Sequence, residues 1–143
     1  YTYTHGNGTG DSAVCFNYDG TKMYITISGS VYQYSLSTAW STATASYDSK
    51  SLSMGATGSE QSWDIYINED GTKFFNVIQA ANQRLDEYDL STPYDISTGS
   101  KVMSFDYTPY GENSLGFHFK PDGSKLFIAM SGTNDVIKTF DLR

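Results

Sequence analysis

Short runs of alternating apolar and polar residues dominate this chain, and no segment has the spacing of a long helix. Alternation with a period of two is typical of β-strands. It predicts a first strand in each of three repeats, at 13–17, 64–68 and 116–120. A more continuous apolar run follows each of them, at 22–27, 73–78 and 125–130. Such a run indicates a strand that is covered on both faces.

An Asp-Gly pair separates the two strands of each repeat, at Asp19-Gly20, Asp70-Gly71 and Asp122-Gly123. Glycine supplies the positive φ angle that a tight turn needs, and Asp favours turns through its own side chain. The three Asp residues also suggest calcium, but the alternating Asp-x-Asp-x-Asp ligands of a calcium loop are absent. We therefore predict turns and no metal at these positions.

Two further strands complete the repeat. The third ends at Leu36, Leu90 and Leu142, and Ser/Thr-rich connections lead to a fourth at 46–53 and 102–107. The third repeat reaches residue 143 without a fourth strand, but residues 1–4 resemble residues 104–107. We therefore predict one repeat domain over 1–143. Its units are repeat 1 at about 11–54, repeat 2 at about 60–107, and repeat 3 at about 113–143, completed by a strand at 1–4.

Composition restricts the classes of partner. The chain has 143 residues, 15% aromatic and 17% charged, with 9 Lys and Arg against 16 Asp and Glu, which gives a net charge of -7. No basic patch could neutralise phosphates, so nucleic acid is excluded as a partner. No apolar run approaches the roughly 20 residues that span a bilayer. The single cysteine, Cys15, falls in an apolar strand, and we expect a small buried residue there.

The phrase Phe-x-x-Asp-Gly-Thr-Lys, together with residues 31–40, resembles the β-propeller blade repeats of bacterial YVTN-type surface proteins and of bacteriophage virion proteins. The resemblance implies an all-β fold of three four-stranded antiparallel blades around a channel, with the first strand innermost and the fourth outermost. It also implies an extracellular or virion-associated location. Blades form a scaffold, so any function would be in the loops.

Three blades are fewer than the four to eight that propellers typically need. We therefore predict a homodimer that closes one six-bladed ring, because twofold pairs are the commonest closed oligomers. A strand formed by Tyr1, Thr2, Tyr3 and Thr4 of one copy would complete the last blade of the other. A monomeric threefold β-trefoil or β-prism is the alternative, and a fragment of a longer propeller is another.

Metal, cofactor and catalytic signals are sparse. Only His5 and His118 are present, whereas zinc needs three or four ligands. The Gly-rich segment 5–10 leads into a strand, so no helix amino terminus is available to bind a phosphate. There is no Gly-x-Ser-x-Gly motif. These observations predict no cofactor, no metal and no catalytic residue, and the chain is predicted not to be an enzyme.

A hydrolase remains the lesser alternative, because the resemblance implies that some similar propellers are lactonases or glycosidases with acids at the channel mouth. Asp64, Glu60 and Glu112 could lie there. Asp64 corresponds to Ala13 and Gly116 in the other repeats, however, so the acid is not repeated.

Loops that differ between repeats point to binding. Trp63 and Tyr110, with polar neighbours, form the combination of aromatic and hydrogen-bonding groups that sugars use. We predict a non-enzymatic module that binds a glycan or surface receptor. The alternative is a structural or assembly module of a virion, fibre or surface layer, in which the loops bind nothing. A separate alternative for Trp63 is that it packs between blades. The candidate ligand-binding residues are Asn7, Asp11, Glu60, Gln61, Trp63, Asn82, Arg84, Tyr110, Glu112 and Asn113.

Overall fold

The computed structural model describes residues 4, 6, 10, 13–55, 61–79, 83–110, 113–132 and 135–142. These residues form three antiparallel sheets. The first sheet contains β1 (Val14–Phe16), β2 (Lys22–Ile27), β3 (Ser30–Leu36) and β4 (Ala45–Ser53). The second contains β5 (Gln61–Ile67), β6 (Lys73–Gln79), β7 (Arg84–Leu90) and β8 (Gly99–Asp106). The third contains β9 (Ser114–Phe119), β10 (Lys125–Met130) and β11 (Val136–Asp141).

The all-β prediction of blade-like repeats is confirmed. Within each sheet the strands follow one another in chain order, and each sheet packs face to face against the next. Separate stacked sheets differ from the single closed barrel of a β-trefoil. Of the predicted exchange strand at 1–4, only Thr4 lies among the described residues, where it is exposed and belongs to no strand. Among the described residues, no helix is long and apolar enough to cross a membrane.

The Asp-Gly turns are held by a small polar network. In the first repeat, the Asn17 side chain accepts a hydrogen bond from the Lys22 amide at 2.8 Å, and Asp19 accepts from the amide and hydroxyl of Thr21 at 3.0 and 2.6 Å. Gly20 has a φ of 71°. The second repeat makes the same bonds, through Asn68, Asp70, Thr72 and Lys73.

The third repeat uses a different donor at its turn. Lys120 takes the place of the Asn, and its ammonium group donates to Asp122 at 2.5 Å. Asp122 still accepts from the amide of Ser124 at 2.9 Å. Thus all three turns keep the Asp that accepts from the residue two positions later, and no metal is needed to explain them.

An aromatic ring covers the turn glycine in the first two repeats. A Cβ atom on Gly20 would lie 2.3 Å from the Trp40 ring, and one on Gly71 would lie 2.5 Å from the Tyr94 ring. Both aromatic residues come from the connection between the third and fourth strands, and their amides donate to the glycine carbonyls at 2.9 and 2.8 Å. This connection therefore folds back over the turn, which requires glycine.

The connection between β7 and β8 fills the contact between the first two sheets. Ile96 is fully buried there, and its amide donates to the Gln33 side chain at 2.9 Å. Lys50 pairs with Asp95 at 2.6 Å, and the Tyr24 hydroxyl donates to the Tyr94 carbonyl at 2.9 Å. The connection between the third and fourth strands of the second sheet thus fills the space beside the first sheet.

The only cysteine lies in the same contact. Cys15 is half-buried, as part of β1, and packs against the apolar cluster between the first and second sheets. Burial raises the pKa of its thiol well above the ordinary value, with the Asp64 carboxylate adding to the shift. The thiol is therefore uncharged at neutral pH.

We predict that Ile96→Ala destabilises the protein by about 2 to 4 kcal/mol, because it removes buried methyl groups and leaves a cavity. Urea unfolding followed by circular dichroism measures the change. Thr98→Ala, on the partly exposed end of the same connection, is the control and should cost less. An equal loss in both variants would contradict the central position of Ile96.

We also predict a link between the turns and acid stability. Hydrogen bonds from Thr72 hold the pKa of Asp70 below 3.8. The stabilisation by this carboxylate is therefore present above the unfolded-state pKa and is lost as the pH falls through the lower folded-state pKa. Thr72→Val should raise the Asp70 pKa, measured by NMR titration, and leave that of Asp106 unchanged. An unmoved Asp70 pKa would contradict this assignment.

Candidate functional site

A cavity of about 900 Å³ lies between the second and third sheets. Its walls are largely aromatic and come from both sheets. The aromatic residues that line it are Tyr66, Phe75, Phe105, Tyr110, Phe119 and Phe140. Because cavities of this size with apolar walls and few polar groups are typical ligand sites, it is the candidate functional site.

The second repeat shows which segment fills the equivalent space between the first and second sheets. The amides of Leu90 and Leu142 make the same bond to their turns, to the carbonyls of Thr72 and Ser124. Four residues after Leu90 the chain reaches Tyr94, and then Ile96, which fill the equivalent space between the first and second sheets. The described residues of the third repeat stop at Leu142. Within the described part of the chain, no corresponding segment enters the cavity.

The aromatic rings of the two sheets touch and form one wall. Phe75 of the second sheet lies 4.6 Å from Phe119 of the third, measured between ring centroids. Phe140 lies 5.1 Å from Phe105 and 5.2 Å from Tyr110, in both cases edge to face. Tyr110 is half exposed. It can therefore present a ring to a ligand without being required by the core.

Charged groups surround the aromatic wall. The Lys73 ammonium pairs with Glu87 and lies 2.7 Å from Asp89. The hydrogen bonds that Lys73 donates, first to Asp89 and then to Glu87, raise the pKa of Lys73. Lys120 holds the pKa of Asp122 well below its ordinary value. Lys73 is therefore protonated and Asp122 is ionised at neutral pH, so the cavity offers hydrogen-bond donors and acceptors together.

Asp64 is the one carboxylate with a raised pKa among the described residues, and it lies on the same face of β5 as Tyr66. It is half-buried and accepts hydrogen bonds from the amides of Ile65 at 2.9 Å and Phe117 at 3.0 Å. Burial raises the pKa of the carboxyl, and the two amide bonds oppose the shift. A Cβ atom on Gly116 would lie 3.2 Å from this carboxylate, so the third sheet leaves room for it.

The predicted site residues do not lie together in the structure. Tyr110 lines the cavity, whereas Trp63 is exposed on β5 and is not part of the cavity wall. Arg84 pairs with the fully buried Asp86 at 3.1 Å. Asn113 is exposed and accepts a hydrogen bond from Gln83 at 3.4 Å.

The remaining predicted site residues cannot be placed. Gln61 belongs to β5, but its side chain is outside the described set. Asn7, Asp11, Glu60, Asn82 and Glu112 lie outside the described residues.

Sequence reasoning missed most of the cavity. Phe119 and Phe140 occupy positions that are aromatic or apolar in every repeat, so the sequence does not distinguish them from core residues. Lys73 and Glu87 gave no signal, because each lies in a strand.

No group of three or more His, Cys, Asp or Glu side chains in the described ranges could hold a metal ion. His118 lies exposed on β9, and His5 is outside the described residues.

Comparison of the sequence with protein-family models and with curated proteins gives no match. Solved structures do match. A protein provisionally assigned as a 6-phosphogluconolactonase, from Bacteroides fragilis, has a TM-score of 0.68 at 21% identity, with 90% of this chain and 33% of that one covered. The periplasmic gluconolactonase of Pseudomonas aeruginosa has a TM-score of 0.66 at 16% identity, with 90% and 34% covered. The carboxy-terminal WD40 domain of Sif2 has a TM-score of 0.62 at 14% identity, with 99% and 36% covered.

These matches define the fold as that of a β-propeller. This chain spans about a third of the length of the solved structures it matches. The narrower resemblance to YVTN-type surface proteins and phage virion proteins is not shown by them.

The prediction that the chain is not an enzyme is contradicted by the same matches. Two of the three structures are named as lactonases, so the blade arrangement is shared with hydrolases. The prediction relied on the lack of sequence motifs for a nucleophile or metal. Propeller sites are assembled from separate blades, and a short motif is therefore a poor indicator.

Proposed function

We propose that this chain is the ligand-binding part of a β-propeller and that the cavity between the second and third sheets binds a sugar or a sugar derivative. The observation that supports this proposal is an aromatic wall that has charged and hydrogen-bonding groups beside it. Sugar rings pack their C–H faces on aromatic rings and hydrogen-bond around their edges. Tyr110 supplies an accessible ring, while Lys73, Glu87 and Lys120 supply the polar contacts.

The names of the similar structures support the same class of ligand. Gluconolactone and 6-phosphogluconolactone are cyclic sugar derivatives, and both names occur among proteins with this fold. The likeness concerns the fold alone, so the ligand class for this chain rests on the cavity.

The test is binding to a panel of sugars, including gluconolactone, followed by calorimetry with each sugar that binds. Tyr110→Ala should weaken binding about tenfold, because one aromatic contact contributes about 0.5 to 1.5 kcal/mol beyond its buried area. Trp63→Ala is the matched control, since it removes an exposed aromatic residue outside the cavity wall, and it should leave the affinity unchanged.

Two results would contradict the proposed site. One is the absence of binding to every sugar tested by a folded wild-type protein. The other is a loss with Trp63→Ala that equals or exceeds the loss with Tyr110→Ala, since that would move the site to another surface.

A second candidate is hydrolysis of a sugar lactone, favoured by Asp64. A carboxylate whose pKa is raised by burial is a better base than an ordinary Asp and is typical of catalytic positions. In this reaction water attacks the lactone carbonyl, its proton passes to the carboxylate, and the ring ester bond breaks to leave an acid and a free hydroxyl group. The carboxylate lies in the same contact between sheets as the cavity.

We predict that Asp64→Asn lowers kcat for gluconolactone or 6-phosphogluconolactone about 100-fold or more. In the wild type, the rate should rise with pH through a pKa above the ordinary Asp value of 3.8. Asp106→Asn, at an exposed turn, is the control. Sugar binding without turnover would reject hydrolysis while leaving the binding site in place.

A further inference from the structure

The ammonium groups at the cavity already have carboxylate partners. Lys73 donates hydrogen bonds to Glu87 and, at 2.7 Å, to Asp89. Lys120 donates to Asp122 at 2.5 Å. Among the described residues, no arginine and no other lysine lines the cavity. An anionic ligand would therefore have to compete with the protein's own carboxylates for both ammonium groups.

A third ion pair lies at the edge of the same cavity. Lys125, the first residue of β10, pairs with Asp141, which lines the cavity. The three lysines thus face four carboxylates, and the cluster that they form has a formal charge of -1. We call it the ionic cluster of the cavity. Its carboxylates are those of Glu87, Asp89, Asp122 and Asp141.

Asp122 accepts from a set of donors that could otherwise hold an anion. The Ser124 amide donates to it at 2.9 Å and the Ser124 hydroxyl at 2.6 Å, in addition to the Lys120 ammonium group. Amides, hydroxyls and ammonium groups are also the donors that bind phosphate oxygens. The next amide of the turn, that of Gly123, donates to the Lys120 carbonyl at 2.8 Å. The donors of the third turn are therefore engaged by an internal anion.

Given the proposed sugar site, on which this inference depends, we propose that the cavity binds uncharged sugars and rejects their phosphates. A phosphate monoester carries about 1.5 to 2 negative charges at neutral pH. It would lose hydration at the aromatic wall, find each ammonium group engaged and meet a cluster that is already negative. A sugar hydroxyl group, in contrast, can donate to a carboxylate and accept from a lysine, which has three donors. Gluconolactone, rather than 6-phosphogluconolactone, has the charge that this cavity accepts.

The test is calorimetry with glucose, galactose and mannose, each compared with its own 6-phosphate. The wild type should bind at least one hexose, and should bind the 6-phosphate of that hexose at least about tenfold more weakly. Equal or tighter binding of the phosphate would overturn the inference and leave the sugar site in place. If the folded protein binds none of the six probes, the sugar site itself is contradicted, and the inference fails with it.

Two variants test whether the carboxylates cause the selectivity. Asp122→Asn keeps an oxygen that can accept from the Ser124 amide but removes the charge that engages Lys120. It should raise the affinity for the 6-phosphate, relative to that for the hexose, at least about tenfold. Asp141→Asn frees Lys125 in the same way and should shift the ratio in the same direction. The Asp141 side chain is 72% exposed, so this second variant should keep the fold.

Asp19→Asn is the matched control, because Asp19 has the same position in the turn of the first repeat, outside the cavity. It changes the net charge of the chain by the same amount and should leave the ratio of the two affinities unchanged. A ratio that stays at the wild-type value in both cavity variants would overturn the inference. So would an equal shift with Asp19→Asn, because the overall charge of the protein would then set the selectivity.

Discussion

A central strand that is apolar on both faces must be covered on both faces, and the rest of this structure depends on that requirement. β2, β6 and β10 are almost continuously apolar, and the second sheet buries one side against the first sheet and the other against the third. Each pair of neighbouring sheets therefore shares one apolar core. The two outermost faces of such a stack need a cover, which polar capping residues, closure of the stack on itself or another molecule can provide.

Hydrogen bonds and ion pairs hold the turns and the connections between the strands of these sheets. The Asp-Gly turn fixes each hairpin, and the connection after the third strand folds back over the glycine before entering the next contact. Three successive residues lie between the first and second sheets. They are Tyr94 with its ring, Asp95 with its charge and Ile96 with its aliphatic side chain. Between the second and third sheets the described residues include no such segment, and the cavity lies there. The candidate site also has a different lining from the first contact, since Met103 and Glu87 stand where Lys50 and Gln33 meet the connecting segment there.

The sequence predicted the strands well because their signals are local. The second strands end within one residue of prediction, and the Asp-Gly pairs lie at all three turns. The site was predicted poorly because it depends on which rings of two different repeats meet and which of them stay accessible to solvent. Tyr110 was found as a loop aromatic, but Phe105 and Phe140 have the same pattern as core residues. The raised pKa of Asp64 follows from the burial created by the third sheet, and no pattern around residue 64 indicates it.

Cys15 gives the protein an internal reporter of the contact between its first two sheets. Its thiol is the only one in the chain, and it borders the contact with β5. Since the thiolate is the reactive form and burial disfavours it, alkylation by a thiol reagent is slow while the sheets are together and faster once they part. The rate of labelling therefore reports how often the first and second sheets separate in the unmodified protein, without an added probe.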